Sequence, residues 1–114
     1  MRYIITIDQR TSSSKALLFD EKFNIIDHKI IPHRVNHPKA DWVEADAEEI
    51  YANTVAVLKQ LNLPDESDAT FSISIVNQRE TVVVWDKNTG KPVYPAVMWQ
   101  CRRGAAFCQE LIDK

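Results

Sequence analysis

Apolar residues recur at a period near two in the first third of the chain and at helical spacing in the middle. Residues 2–7 alternate weakly, 15–20 form a compact apolar run around Ala16, Leu17, Leu18 and Phe19, and about 25–33 carries Ile25, Ile26, Ile30 and Ile31. Runs of this kind bounded by turn residues predict three β-strands. Short connections, such as Glu21-Lys22-Phe23-Asn24, make them antiparallel neighbours. A loop from Arg34 to Ala45 follows, holding Pro38 and Asp41-Trp42-Val43-Glu44. Asp46 with Glu49 three residues on resembles a capping box and opens a helix. Ile50, Thr54, Val57, Leu58 and Leu61 then lie on one face of it, and Pro64 ends it.

Phe71-Ser72-Ile73-Ser74-Ile75-Val76 reads as the next strand. A helix between two strands of one sheet is a right-handed crossover, so this strand is expected parallel to the first. Thr81–Trp85 and Lys91–Trp99 bracket the turn Asp86-Lys87-Asn88-Thr89-Gly90 as a hairpin, and Arg103–Asp113 is helical in composition. Three antiparallel strands, a helix, a parallel strand, a hairpin and a helix make an α/β arrangement. It is the order with which the ribonuclease-H-like ATPase fold of actin, hexokinase and the sugar kinases begins.

A length of 114 residues suits one domain with a real core. The formal net charge of -2 gives no reason to expect a nucleic acid or an anionic membrane as partner. No apolar run approaches a membrane span, and the N-terminus enters a strand without the apolar region of a signal peptide, so a cytoplasmic location is expected. Cys101 and Cys108, if on one helix, are separated by two turns, roughly 10 Å, too far to bridge. They read as free thiols. His28, His33 and His37 show no helical pairing of the kind a zinc site uses.

Chemistry concentrates in Asp8-Gln9-Arg10-Thr11-Ser12-Ser13-Ser14-Lys15, a hydroxyl-rich, basic-ended turn between the first two strands. Hydroxyls and backbone N–H groups donate to phosphate oxygens, and Lys15 adds a cation. Asp8 can hold Mg²⁺ through water, since that ion keeps much of its hydration shell and takes few carboxylates. The Gly-rich spacing of a Walker A loop is absent. An ordinary hairpin turn has much the same composition, so the local sequence leaves both readings open.

Three separated strings go further. Asp8–Lys15 is similar to Asp-Gln-Gly-Thr-Thr-Ser-Ser-Arg of the FGGY carbohydrate kinases. Asn77-Gln78-Arg79-Glu80-Thr81, followed by Val84-Trp85-Asp86-Lys87, Thr89-Gly90-Lys91-Pro92 and Tyr94, is similar to a second stretch of that family. Val97-Met98-Trp99-Gln100-Cys101-Arg102-Arg103 resembles the Val-Trp-Gln-Cys-Arg-Arg of its glycerol-phosphorylating members, and Trp42-Val43-Glu44 resembles a Gly-Trp-Val-Glu string before its first helix. The resemblance covers essentially the whole chain. It implies that residues 1–114 are the N-terminal part of the first domain of a larger two-domain kinase using ATP and Mg²⁺.

The implied reaction is phosphorylation of glycerol or a similar polyol. The implied substrate-binding residues are Arg79, Glu80 and Trp99. Thr11, Ser12, Ser13 and Lys15 are implied to bind ATP phosphates, and Asp8 the metal. The general base and the adenosine site lie outside these residues in the family, so the chain alone is expected to be inactive. Another FGGY kinase, acting on a pentulose or pentitol, is the alternative, as is a non-catalytic ligand-binding relative. Self-association of the whole protein is left open. Arg10 stands where the family has Gly, Lys15 where it has Arg, Ser74 and Val76 where Gly and Thr are usual, and Gly104 where Thr is usual. Arg10 either crowds the nucleotide or reaches a phosphate itself. Crowding is the favoured expectation, because Gly frees the turn and admits a phosphate closely.

Overall fold

The computed structural model describes all residues, Met1–Lys114. They form two compact units, one of residues 1–33 and 48–78, the other of 34–47 and 79–114. The first unit contains β1 (Arg2–Gln9), β2 (Ser13–Phe19), β3 (Ile25–Pro32), nearly all of α1 (Ala47–Gln60) and, in this numbering, β5 (Thr70–Asn77); the short β4 (Glu44–Ala45) belongs to the second unit. The sheet order is β3-β2-β1-β5. β1 and β2 pair antiparallel from Ile4 with Phe19 to Gln9 with Ser14, and β3 continues the meander. β5 lies parallel to β1, from Arg2 beside Thr70 to Gln9 beside Asn77, as a crossover through α1 requires.

Alternation sorts the two sheet faces. Tyr3, Ile5 and Ile7 on β1 and Ser14, Ala16 and Leu18 on β2 are buried, while the residues between them are half-buried. Val57 and Leu61 of α1 complete the core with Tyr3, Ile5, Ala16 and Leu18, and Ile31, Leu58 and Ala69 pack around it. The predicted helical face is therefore the one that meets the sheet. Two buried polar groups are satisfied. The Ser14 and Thr54 hydroxyls lie 3.2 Å apart, and Thr54 also donates to the Ile50 carbonyl. The Tyr3 hydroxyl donates to Glu66 at 2.8 Å. That bond to an anionic acceptor, reinforced by burial, pushes the phenol up to about 12. β5, an outer strand of the sheet, is exposed along its length, Ile73 at 61% and Ile75 at 67%.

The second unit departs further from the pattern in the sequence. The loop predicted over 34–45 contains β4, which pairs antiparallel with β6 (Ala96–Val97). The predicted hairpin is reduced to β6 and two isolated bridges, Val82–Val97 and Trp85–Pro92. Pro92 and Pro95 lack the N–H a continuous ladder needs. Its turn forms as expected. The Asp86 carboxylate accepts from the N–H groups of Asn88 and Thr89 at 2.8 Å, and Gly90 takes φ 72°. Met98, Ala96, Val43 and Ala45 form the buried centre of this unit. The final helix, α2 (Ala105–Ile112), is shorter than the predicted span.

Candidate functional site

The hydroxyl-rich turn sits at the C-terminal end of β1, next to the end of β5. The Arg10 N–H donates to the Ser13 carbonyl at 2.8 Å and closes it. His33, buried at the end of β3, holds the turn from behind: its N–H donates to the Ser12 carbonyl at 3.0 Å, and its Nε2 lies 2.8 Å from the Thr11 carbonyl. Gln78, just past β5, braces the other flank. Its N–H donates to the Gln9 carbonyl, and its side-chain amide donates to Gln9 Oε1 and to the Arg10 carbonyl, both at 3.2 Å. The backbone of the turn is thus braced from both flanks. Sequence reasoning missed both His33 and Gln78 as braces. Gln78 lies within one of the distinctive strings, but nothing in a linear sequence shows that it ends beside residue 9.

A depression of about 450 Å³ opens here, lined by Asp8, Gln9, Arg10, Thr11, Ser12, Ser13, Asn77 and Gln78. It gathers Asp8 and the three expected phosphate-binding hydroxyls. Lys15 is not in its lining. It is the cross-strand partner of Asp8, on the sheet face opposite the core. The donor set there, one carboxylate beside hydroxyl-bearing residues, is of a kind that fits a hydrated divalent ion. Arg10 carries no backbone strain. The non-glycine residues with positive φ are Phe23, Asp41 and Glu80. The turn therefore does not need glycine's freedom at position 10, and that part of the case for crowding falls away. The Arg10 side chain lies toward Asp8 instead, Nε to Oδ2 3.8 Å.

The residues expected to read a polyol belong to the second unit. Val82 and Val97 exchange both backbone hydrogen bonds, at 2.9 and 3.0 Å. Beyond that bridge the chain bends at Arg79–Glu80 on one segment and turns at Trp99–Gln100 on the other. The Trp99 N–H donates to the Thr81 hydroxyl at 3.2 Å, which keeps the segments together. Arg79 and Glu80 are exposed, and Trp99 is 53% exposed. Glu80 has φ 67°, a left-handed conformation a glutamate seldom adopts. Backbone strain of this kind persists where the surroundings over-determine it and clusters at functional sites.

Arg103 holds this region in place, and the sequence reading gave it no role. Its Nη2 donates to Glu44 Oε1 at 2.7 Å, its Nη1 to the Tyr94 hydroxyl at 3.2 Å and its Nε to Cys101 Sγ at 3.0 Å. The guanidinium also lies over the Trp42 ring at 3.8 Å. Backbone bonds from Met98 to Val43 and from Arg102 to Asp41 run alongside. The Trp42-Val43-Glu44 and Cys101-Arg102-Arg103 strings are thus one structural feature. Burial, the largest single effect, pushes the Cys101 thiol up, but the Arg103 guanidinium together with backbone hydrogen bonds from Arg103 and Val43 leaves the thiol below its ordinary value. Cys101 and Cys108 are both free thiols, as expected.

A mixed sheet of this order, with a crossover helix leading into its parallel strand, is the opening of a sugar-kinase type of α/β domain. Among solved structures it is similar to Plasmodium falciparum glycerol kinase with ADP (TM-score 0.84, 35% identity, 100% of this chain and 23% of that one). It is also similar to xylulose kinase from Rhodospirillum rubrum (TM-score 0.88, 25% identity, 98% and 23%). Residues 3–114 match the N-terminal domain of the FGGY family of carbohydrate kinases, and the chain belongs to that family. It is 46% identical to glycerol kinase 2 of Thermotoga maritima, over 100% of this chain and 23% of that protein. It is likewise 46% identical to the glycerol kinase of Carboxydothermus hydrogenoformans, over 99% and 23%. The chain thus spans about a quarter of the length of these relatives.

Proposed function

We propose that residues 1–114 are the N-terminal part of the first domain of a two-domain, ATP-dependent polyol kinase that converts glycerol and ATP to glycerol 3-phosphate and ADP. The observation that carries this reading is the hydrogen bond from the Trp99 N–H to the Thr81 hydroxyl, which ties the Arg79-Glu80-Thr81 string to the segment of Trp99, in a chain 46% identical to a glycerol kinase. Glu80 accepts hydrogen bonds from two substrate hydroxyls, Arg79 donates to them, and the Trp99 face takes the C–H side of a three-carbon chain. A site that pairs with hydroxyls in this way rejects analogues lacking them. On the nucleotide side, Thr11, Ser12 and Ser13 donate to phosphate oxygens and Lys15 adds positive charge. Asp8 would hold a Mg²⁺ ion through the ion's water shell, and such an ion would supply positive charge against the phosphates. The residue that takes the substrate proton lies outside these residues, as the family resemblance implies. A cytoplasmic location accords with the lack of any helix long and apolar enough to cross a membrane.

The test is ADP release by the intact protein across a panel of polyols and pentuloses. Glycerol should support turnover, and Arg79→Gln should raise KM for glycerol much more than KM for ATP. The 114-residue chain alone should show none. Turnover with a pentulose but not glycerol would favour the other FGGY activity, and no turnover with any substrate would favour a binding role.

A further inference from the structure

The Arg10 side chain is 59% exposed and Asp8 33%, and they form a single contact at 3.8 Å, longer than the roughly 2.7–2.9 Å of a tight charge-assisted hydrogen bond. The pair is loose. Its base is not: the Arg10 carbonyl accepts from the Gln9 and Gln78 side-chain amides at 3.0 and 3.2 Å, and its N–H is spent on Ser13. An exposed cation on a long side chain therefore extends from a fixed point in the lining that also contains Thr11, Ser12 and Ser13. A guanidinium matches a phosphate bidentately, and one loose carboxylate contact competes poorly with that geometry.

We propose that Arg10 is a cation gate on this turn, pairing with Asp8 when the site is free of nucleotide and moving to a phosphate oxygen when nucleotide binds. The inference rests on the phosphate-binding reading of the turn. With Arg10 on Asp8, the carboxylate is neutralised and a divalent cation is repelled. With Arg10 on phosphate, Asp8 is released to the hydrated cation, so metal binding follows nucleotide binding. A glycine at this position has no such gate, and metal and nucleotide then bind more independently.

The experiment measures Mn²⁺ binding to the intact protein at low ionic strength, by the loss of the free-ion paramagnetic resonance signal, with and without ADP. Without ADP, Arg10→Gly should bind Mn²⁺ about tenfold more tightly than wild type, because a unit charge a few ångströms from a divalent ion is removed. Arg10→Lys, which keeps the charge, should stay close to wild type. With ADP the advantage of Arg10→Gly should shrink to about twofold or less. Equal Mn²⁺ affinity of Arg10→Gly and wild type without ADP would overturn the gate, as would a ratio unchanged by ADP. Asp8→Asn separates this from failure of the underlying reading. If it weakens Mn²⁺ binding in the presence of ADP while Arg10→Gly has no effect, only the gate is wrong. If Asp8→Asn has no effect in either condition, the gate falls together with the reading of the turn.

Discussion

Glu80 offers a single perturbation whose effects on stability and on binding run in opposite directions. Its φ of 67° places a glutamate in left-handed backbone, which costs an L-residue about 1–2 kcal/mol. Glycine adopts that conformation freely but gains freedom in the open chain, worth about 0.4–1 kcal/mol relative to alanine. The difference leaves Glu80→Gly more stable than Glu80→Ala by about 0.5–1 kcal/mol locally. Both substitutions remove the same exposed carboxylate, so the comparison isolates the backbone. Val82 and Val97 donate the N–H groups that close the adjacent bridge, and hydrogen exchange of peptides carrying them reads local opening in the intact protein. Those amides should exchange about two- to fivefold more slowly in Glu80→Gly than in Glu80→Ala. Glu80→Asn, which tolerates left-handed backbone, should fall between them. Glycerol binding should move the other way. Losing a charged acceptor costs about 1.5–3 kcal/mol per hydrogen bond, so all three variants should bind glycerol at least about tenfold more weakly. Equal exchange in the glycine and alanine variants would refute the strain argument. Wild-type glycerol affinity in Glu80→Gly would remove Glu80 from the substrate site.

Arg103→Leu should raise the apparent pKa of Cys101, read as an upward shift of the pH profile of its alkylation rate, because the guanidinium that stabilises the thiolate is gone; an unchanged profile would show that the Nε–Sγ contact is not maintained in solution. The same variant should change Trp42 fluorescence, since the cation over its ring is removed, whereas Arg103→Lys should keep part of that effect. Tyr3 and Asp27 predict the two limbs of the stability profile. The Tyr3 phenol is held up near 12 by Glu66, so its contribution is complete below about pH 10 and is lost as pH rises through 12; Tyr3→Phe should flatten that alkaline limb. The Asp27 carboxyl is held below its usual range by the Asn62 N–H, against the opposing effect of burial and with help from Lys29. Its contribution is present above about pH 4 and is lost as pH falls through its lowered value, so Asp27→Asn should flatten the acid limb in urea titrations.

The first unit was legible in the linear chain because its determinants are local. A period of two in β1 and β2, and the spacing of Val57, Leu58 and Leu61 in α1, set which faces are apolar, and a crossover helix leaves β5 one direction relative to β1. The strings around Thr11–Ser13, Arg79–Glu80 and Trp99 could likewise be picked out, since their residue types already carry the chemistry of hydroxyl, charge and aromatic face. What the chain alone left undecided depends on partners far away in sequence. β4 is a strand only because Ala96–Val97 lies beside it, and Pro92 with Pro95 confines the expected hairpin to isolated bridges. Arg103 becomes a clamp only when folding brings it to Glu44, at a separation of 59 residues. Position 10 looked like a place for glycine until the backbone showed ordinary φ there and the strain at Glu80 instead. Short-range periodicity repeats a signal many times over along an element, whereas a single long-range contact or one backbone dihedral leaves no repeated trace. Those were decided by the tertiary structure alone.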